Sequence, residues 1–202
     1  MNNKEYIDQI GFDEYTIVGL FIPNTYEFYW NTSPEQFCSR MLNEYDSFWN
    51  KSRRTKAEQI NLSLNEVITL ASIVDEESSK EEENPIIAGV YINRLKKGIK
   101  LQADPTVKFA HGDFSMRRVL AKHLSINSPY NTYKYYGLPP GPIRIPSRES
   151  IDAVLNYKKH DYLYFCAKDD FSGYHYFAKT LAQHNKYARL YQRALNKRRI
   201  LN

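Results

Sequence analysis

Residues 63–98 read SLNEVITLASIVDEESSKEEENPIIAGVYINRLKKG, a pair of helical patterns joined by an acidic link. Ser63 with Glu66 three residues later forms a capping box, and apolar residues then recur at helical spacing up to the acidic link. Because apolar residues cover most of this first helix, we predict that it is largely buried. The second helix is expected to begin at Pro85 and to end at Gly98.

The flanking sequence adds further helices and one hairpin. Before the helical pair we predict a short polar entry at residues 1–19, a strand, turn and strand at 20–28, a helix at 33–49 and a basic linker at 51–56. After it we predict a short helix near residues 115–124, a helix at 147–156, strands at 162–167 and 174–178, and a last helix at 180–197. The fold class is therefore α+β, a single helix-dominated domain with a small antiparallel sheet.

Residues 101–146 are rich in Pro, Gly, Asn and Tyr, and we expect them to form long loops that line a cleft. Long loops inside a compact domain usually carry function. The chain also has 17 tyrosines, whose rings combine a flat apolar face with a hydrogen-bonding tip and therefore suit sugar rings. For any single tyrosine, an ordinary half-buried position stays the alternative.

Composition restricts the classes of function. A chain of 202 residues that is 42% apolar can bury one substantial core. The net charge of +5 is mild and dispersed, so it does not favour nucleic acid as a partner. Two isolated cysteines predict no disulfide framework, and five histidines without paired spacing predict no metal site. No stretch approaches the roughly 20 consecutive apolar residues that cross a bilayer.

The acids at the end of the first helix are not equivalent. Turning each residue by about 100° around the axis places Glu77 on the apolar flank, between Leu70 and Ile73. Glu76, by contrast, faces water. A carboxyl group on an apolar flank is partly desolvated, which raises its pKa from about 4.3 toward neutrality and suits it to donate a proton. Glu81 could raise that pKa further by repulsion; the alternative is a frayed, fully exposed acidic helix end.

Five blocks of the sequence carry a family resemblance. They are LFIPNTYEF at residues 20–28, ITLASIVDEE at 68–77, IAGVYINRLKKGIKLQADPTVKFAHG at 87–112, SPYNTYKYYGLPPGPIRIP at 128–146 and YLYFCAKDDFSGYHYF at 162–177. In this order they resemble the motifs of the MltG/YceG-like family of endolytic murein transglycosylases. The family's catalytic glutamate matches Glu77. Asp75 and Glu76 stand where the family has Glu and Lys, and Asn84 stands where it has Arg, so the cleft is expected to be more acidic.

The resemblance also implies a groove that holds a glycan strand. The residues that it implies for substrate binding are Gln102, Asp104, Tyr130, Asn131, Tyr133, His175 and Glu83. Several have ordinary structural alternatives: Asp104 precedes a proline and is a natural turn residue, and Asn131 could merely fold its loop. His175 could be a strand residue with a satisfied ring.

The implied reaction breaks the β-1,4 bond between N-acetylmuramic acid and N-acetylglucosamine in peptidoglycan. Glu77 would serve as both acid and base, giving a 1,6-anhydro end without water, so that neither a second carboxylate nor a cofactor is required. One alternative is a hydrolase of the same polymer with Asp104 or Glu83 as second carboxylate. Another is a peptidoglycan-binding module that has an aromatic groove and no catalytic activity.

Members of this family resemble a longer layout, in which a membrane-spanning helix and a small LysM-like module precede the catalytic part. We therefore expect residues 1–202 to be the catalytic domain of a parent protein with a single anchor upstream. That parent is expected to work in the cell envelope, on the outer face of the inner membrane. Its expected partners are peptidoglycan glycan strands and the peptidoglycan synthases known as penicillin-binding proteins.

Overall fold

The computed structural model describes residues 4–116 and 118–198. The helices in this part of the chain are α1 (Lys4–Gln9), α2 (Pro34–Phe48), α3 (Lys51–Gln59), α4 (Leu64–Glu77), α5 (Asn84–Lys96), α6 (Asp104–His111), α7 (Arg148–Leu155) and α8 (Leu181–Lys197). The strands are β1 (Tyr164–Ala167) and β2 (His175–Ala178), and 3₁₀ turns occur at Ile17–Leu20, Glu81–Glu83 and Ala121–Ser125. The predicted α+β class, helix-dominated with a small antiparallel sheet, is confirmed.

Helix α4 is the centre of the core. The predicted capping box at its start is confirmed, because the Ser63 hydroxyl accepts from the Glu66 N–H at 3.3 Å and the Glu66 carboxylate accepts from the Ser63 N–H at 2.7 Å. All residues from 67 to 74 are buried, and the helix packs against α5, α6 and α7. A helix that is apolar all round is stable only when other elements surround it, so α4 sets the position of its three neighbours.

The chain reverses direction after α4 and returns as α5. Glu77 is the last residue of α4, and Ser78 leaves the helix in an extended conformation. Pro85 occupies the first turn of α5, where its missing N–H leaves no hydrogen bond unmade. The two helices pack against each other, and the end of α4 lies beside Tyr91, in the middle of α5.

The hairpin and the last helix form a second layer against α5. Strands β1 and β2 pair antiparallel, with Tyr164 opposite Ala178 and Ala167 opposite His175. Helix α8 packs on both strands, and β1 packs on α5. The Thr180 hydroxyl caps α8 by accepting from the backbone N–H of Gln183 at 3.3 Å. This layer brings the start of α8 close to the junction of α4 and α5.

Two predictions before α4 are wrong. The strands expected at residues 20–28 do not form; among the described residues this segment has a 3₁₀ turn that ends at Leu20 and then irregular chain. Pro23 has no N–H for a sheet, and the Tyr26 hydroxyl instead donates to the carbonyl of Ile22 at 2.5 Å. The linker expected at residues 51–56 is helix α3, because Asn50 caps it and its polar residues bind neighbouring helices.

Two further predictions fail in the loop region. The helix expected near residues 115–124 is replaced, in the described part of that range, by the 3₁₀ turn at Ala121–Ser125. Helix α6, which begins at Asp104, was not predicted. Its sequence places Pro105 in the first helical turn and Gly112 at the C-cap with φ of 65°, both typical of helix ends.

Two remaining features concern membrane crossing and the cysteines. Among the described residues, no helix combines the length and the apolar character that crossing a membrane requires. Both cysteines are free thiols; Cys38 is buried and Cys166 is half-buried.

Gly89 provides a test of the packing around α5. A Cβ added at this position would lie 2.5 Å from the carbonyl oxygen of Lys158 and 2.6 Å from Nε2 of His160. We expect Gly89→Ala to destabilise the protein by about 2 kcal/mol, although alanine is the better helix former, because the clash outweighs the propensity gain. Urea unfolding measures this change. Glu58→Ala, on the exposed face of α3, is the control and should shift stability by less than about 0.5 kcal/mol. A Gly89→Ala protein as stable as the parent would contradict the packing described here.

Candidate active site

The carboxyl group of Glu77 lies where three elements meet. As the last residue of α4, Glu77 projects toward α5, where the Tyr91 hydroxyl donates to its Oε1 at 2.5 Å. Tyr91 itself is buried and packs edge to face on Phe165 of β1, with ring centroids 5.9 Å apart. The position of the carboxyl group is therefore fixed by a hydrogen bond from a tyrosine that is itself held by packing.

A cavity of about 370 Å³ opens beside this carboxyl group. Its wall is formed by the end of α4, the middle of α5, the segment leading into α6, the loop that carries Tyr133, strand β1 and the first turn of α8. The lining residues are Glu77, Tyr91, Arg94, Leu101, Gln102, Asp104, Tyr133, Tyr164, Phe165, Leu181 and His184. The mixture of aromatic faces with a few polar groups is typical of a ligand-binding site.

Burial raises the pKa of Glu77 to about 7. Repulsion from the carboxyl groups of Asp104 and Glu76 acts in the same direction, whereas the Tyr91 hydrogen bond and the charge of Lys108 lower it. The repulsion comes from residues on α6 and on α4 itself and not from Glu81, the possible source considered from the sequence. Glu77 as a residue is half-buried, because one side of it borders the cavity. A carboxyl group with a pKa near 7 exchanges its proton readily at neutral pH.

The acids next to Glu77 have other partners. Glu76 is exposed, as the helical wheel predicted, and forms an ion pair with Arg144. Asp75 accepts hydrogen bonds from Ser147 and Ser150 at 2.6 and 2.5 Å. Arg144 also lies 3.3 Å from Asp75 and so offsets part of the acidity that the sequence predicted for this end of α4.

Three of the residues predicted to bind substrate lie in the cavity with Glu77. They are Gln102, Asp104 and Tyr133. The Tyr133 hydroxyl donates to Oδ1 of Asp104 at 2.6 Å, which together with burial raises the pKa of Tyr133 well above its usual value. Gln102 adopts φ of 52°, a left-handed conformation that is uncommon for a residue with a side chain and often marks functional sites.

Arg94 holds the segment that carries Gln102. Its guanidinium group is buried and donates to the carbonyls of Lys100 and Leu163, each at 2.9 Å, and to Oε1 of Gln102 at 2.5 Å. These bonds join α5 to the loop before α6 and to the start of the hairpin. The three hydrogen bonds thereby fix the shape of one cavity wall.

The other predicted residues lie outside the cavity lining. Asn131 is buried and donates to the carbonyls of Leu124 and Ile126, both at 2.9 Å, while its Oδ1 accepts from the backbone N–H of Tyr133. Tyr130 is buried against Phe109, with ring centroids 4.6 Å apart. These contacts shape the loop that presents Tyr133, and a direct contact of Tyr130 or Asn131 with substrate stays a prediction.

Buried Glu83 and half-buried His175 form a separate pair. The carboxylate of Glu83 accepts from the backbone N–H of His175 at 3.0 Å and lies 2.8 Å from its Nδ1. The pair joins the acidic link to the start of β2. Neither residue lines the cavity, so their predicted contact with glycan also stays a prediction.

Besides the apolar Leu101, six cavity residues were not predicted from the sequence. These are Tyr91, Arg94, Tyr164, Phe165, Leu181 and His184. The spacing of Tyr91 and Arg94, three residues apart on one helix, places them on the same face and is the signal that could have found them. The others depend on how the hairpin and α8 dock, which no local pattern specifies. Within residues 4–116 and 118–198, no group of three or more His, Cys, Asp or Glu side chains is arranged to hold a metal ion.

The YceG-like family model matches residues 1–190, nearly the whole chain. This chain belongs to the YceG-like family. A crystal structure of a yceG-like protein from Listeria monocytogenes superposes with a TM-score of 0.73 and 39% sequence identity, covering 83% of this chain and 54% of that one. The fold of this YceG-like domain is therefore also that of its relative.

Two curated relatives carry the name endolytic murein transglycosylase. The one from Bacillus subtilis (strain 168) is 39% identical over 190 residues, covering 91% of this chain and 52% of the relative. The one from Streptococcus pneumoniae (strain ATCC BAA-255 / R6) is 35% identical over 179 residues, covering 85% of this chain and 32% of the relative. The chain thus spans about half the length of the first relative and about a third of the second.

The hydrogen bond from Tyr91 gives a first test of the site. It stabilises the ionised form of Glu77, so Tyr91→Phe should raise the pKa of Glu77 above about 7. Titration of the Glu77 side-chain carboxyl by carbon NMR measures the shift. A pKa that stays the same or falls in Tyr91→Phe would show that the hydrogen bond does not act on Glu77.

A second test uses the dependence of stability on pH. The pKa of Glu77 is raised from 4.5 in the unfolded chain to about 7 in the fold, so folding binds a proton between these values. Its contribution to stability is present below pH 4.5 and is lost as the pH rises through 7. Glu77→Gln should therefore gain stability relative to the parent between pH 4.5 and 8, by on the order of 2 kcal/mol, since solvent in the cavity reduces the full effect. Urea unfolding at the two pH values checks this, and a constant difference would contradict it.

Proposed function

We propose that this domain is the catalytic part of an endolytic peptidoglycan lytic transglycosylase. It would cleave the β-1,4 bond between N-acetylmuramic acid and N-acetylglucosamine and leave 1,6-anhydro ends, thereby terminating or releasing nascent strands. The observation that carries this proposal is a half-buried Glu77 with a pKa of about 7 on the wall of a cavity of about 370 Å³. The names of the curated relatives support the same reaction class.

The first chemical step is donation of a proton by Glu77. At neutral pH about half of the Glu77 side chains carry the proton, because the pKa is about 7. Glu77 gives it to the glycosidic oxygen, which leaves as the 4-hydroxyl of N-acetylglucosamine. The anomeric carbon of the muramoyl residue then develops oxocarbenium character. Tyr91 holds the carboxyl oxygen in place and stabilises the carboxylate that forms.

The second step uses the same carboxylate as a base. It takes the proton from the 6-hydroxyl of the muramoyl residue while that oxygen bonds to the anomeric carbon. The ring closes as a 1,6-anhydro sugar, Glu77 regains its proton, and no water is consumed. The carboxyl group of Asp104 lies in the same cavity, where its negative charge would favour the positive charge on the anomeric carbon.

The remaining polar groups of the cavity would hold the strand. Gln102 has its Oε1 bound to Arg94, which leaves its amide N–H groups to donate to sugar oxygens. Tyr133 and Tyr164 offer aromatic faces to sugar rings. We include Tyr130, Asn131, Glu83 and His175 in the proposal as extensions of the same groove.

A hydrolase of the same polymer is the second candidate, and one observation favours it. Asp104 lies in the cavity with Glu77 and could activate a water, whereas Glu83 is occupied by His175. The products differ, since a hydrolase leaves reducing ends and a lytic transglycosylase leaves anhydro ends. A module without catalytic activity would release neither.

Location and protein partners concern the longer parent protein. We propose that the parent protein acts in the cell envelope, anchored upstream in the inner membrane, beside penicillin-binding proteins. The curated relatives are about two to three times as long as the matched region, so we propose the anchoring and the protein partners for the longer protein and not for this domain alone. The proposed reaction needs no cofactor and no nucleic acid.

The replacement Glu77→Gln tests the proposed function. Glutamine keeps the size of the side chain and can still accept from Tyr91 but cannot donate a catalytic proton. We expect release of anhydro-muramoyl ends to fall by at least roughly a hundredfold, the usual scale for loss of a general acid, while the protein stays folded. The assay is digestion of purified peptidoglycan followed by mass analysis of the released ends.

The matched control is Glu76→Gln, one residue earlier on the exposed face of α4. It makes the same chemical change at a carboxylate that pairs with Arg144, and it should keep most of the activity. Release of anhydro ends by Glu77→Gln at the parent rate would overturn the assignment of the acid. Reducing ends from the parent protein would instead favour the hydrolase with Asp104.

A further inference from the structure

The first turn of α8 contributes two residues to the cavity, Leu181 and His184. They lie three residues apart and therefore share one face of the helix. The ring of His184 is held by Tyr164, with centroids 5.5 Å apart and planes at 31°. Neither residue takes part in the proton transfers at Glu77, so the proposed reaction does not explain why they line the cavity.

The imidazole of His184 lacks hydrogen-bond partners inside the domain. Neither of its ring nitrogens hydrogen-bonds another described residue, and Nδ1 is enclosed. The described part of the chain holds three such enclosed and unpaired side-chain atoms, on Trp49, Asn84 and His184, and of these only His184 lines the cavity. Because Nδ1 is enclosed, Nε2 is the nitrogen of His184 that a ligand in the cavity can reach, and it has no hydrogen-bond partner among the described residues.

The proton of this imidazole can be assigned by hydrogen-bond accounting. Burial and the nearby charge of Arg94 lower the pKa of His184, so the ring is neutral at pH 7 and carries one N–H. An enclosed N–H without an acceptor is costlier than an enclosed bare nitrogen, which places the proton on Nε2. His184 therefore offers the cavity a neutral donor at Nε2.

We propose that His184 and Leu181 form the binding site for the acetamido group of an N-acetylated sugar. Nε2–H of His184 donates to the acetamido carbonyl oxygen, and the methyl group packs on Leu181. A plain 2-hydroxyl is shorter than an acetamido group and has no carbonyl oxygen or methyl group, so it would reach neither the Nε2 donor nor Leu181, which is 55% exposed. The proposal rests on the proposed function in that it takes a glycan as ligand, and it assigns the part of the cavity that distinguishes acetylated sugars from others.

Sugar binding to an inactive protein tests this site separately from catalysis. The Glu77→Gln protein is titrated by calorimetry with chitotetraose, four β-1,4-linked N-acetylglucosamine units, and with cellotetraose, which has hydroxyls in place of the acetamido groups. We expect chitotetraose to bind more tightly. Adding His184→Phe keeps a ring against Tyr164 but removes the donor. It should weaken chitotetraose binding about tenfold, the scale of one lost hydrogen bond, and leave cellotetraose binding unchanged.

Two further variants separate binding from structure. His184→Gln places an amide N–H close to the position of Nε2 and should recover most of the affinity for chitotetraose. Leu181→Ala, at an exposed position, should lower the preference for chitotetraose without changing thermal stability.

Three results would overturn the acetamido site. The first is a Glu77→Gln protein that binds chitotetraose no more tightly than cellotetraose, which includes undetectable binding of both. The second is an added His184→Phe that leaves the preference for chitotetraose unchanged. The third is an added His184→Phe that lowers the affinity for both sugars equally. None of them bears on the assay of anhydro ends, which judges the proposed function by itself.

Discussion

The site depends on the contact between the end of α4 and the middle of α5. The acidic link turns the chain so that Glu77 meets the Tyr91 hydroxyl at 2.5 Å, inside a core that α4 itself organises. Desolvation is the main cause of the raised pKa, and it follows from the same packing that stabilises the fold. Glu77 is thus a polar group held against the apolar core, and functional residues are often found at such positions.

Much of the helical framework could be predicted from the sequence because its signals are local. One capping box, prolines in first turns and apolar spacing predicted α2, α4, α5, α7 and α8 to within a few residues, and the helical wheel separated Glu77 from Glu76. The pairing of β1 with β2 also followed from two short aromatic segments with a turn between them.

What could not be predicted depends on contacts between distant parts of the chain. The segment at residues 20–28 has strand-like residues but no neighbouring strand to pair with among the described residues. Helix α3 is polar except for the buried Ala57, and its Arg53 binds Asp152 of α7, 99 positions later. The cavity is likewise assembled from α4, α5, β1 and α8, so Tyr164 and His184 join Glu77 only through tertiary docking.

The charges in the cavity explain how Glu77 keeps a high pKa beside a buried cation. An ion pair between Arg94 and Glu77 would stabilise the carboxylate, lower its pKa and remove the proton that an acid must give. Arg94 is instead engaged by two backbone carbonyls and by Gln102, all of them neutral acceptors. The guanidinium therefore builds a wall of the cavity without neutralising its acid, while the charge with the largest effect on Glu77, that of Asp104, raises the pKa. Because neutral acceptors bind its guanidinium group, Arg94 can stabilise the cavity wall while Glu77 keeps its raised pKa.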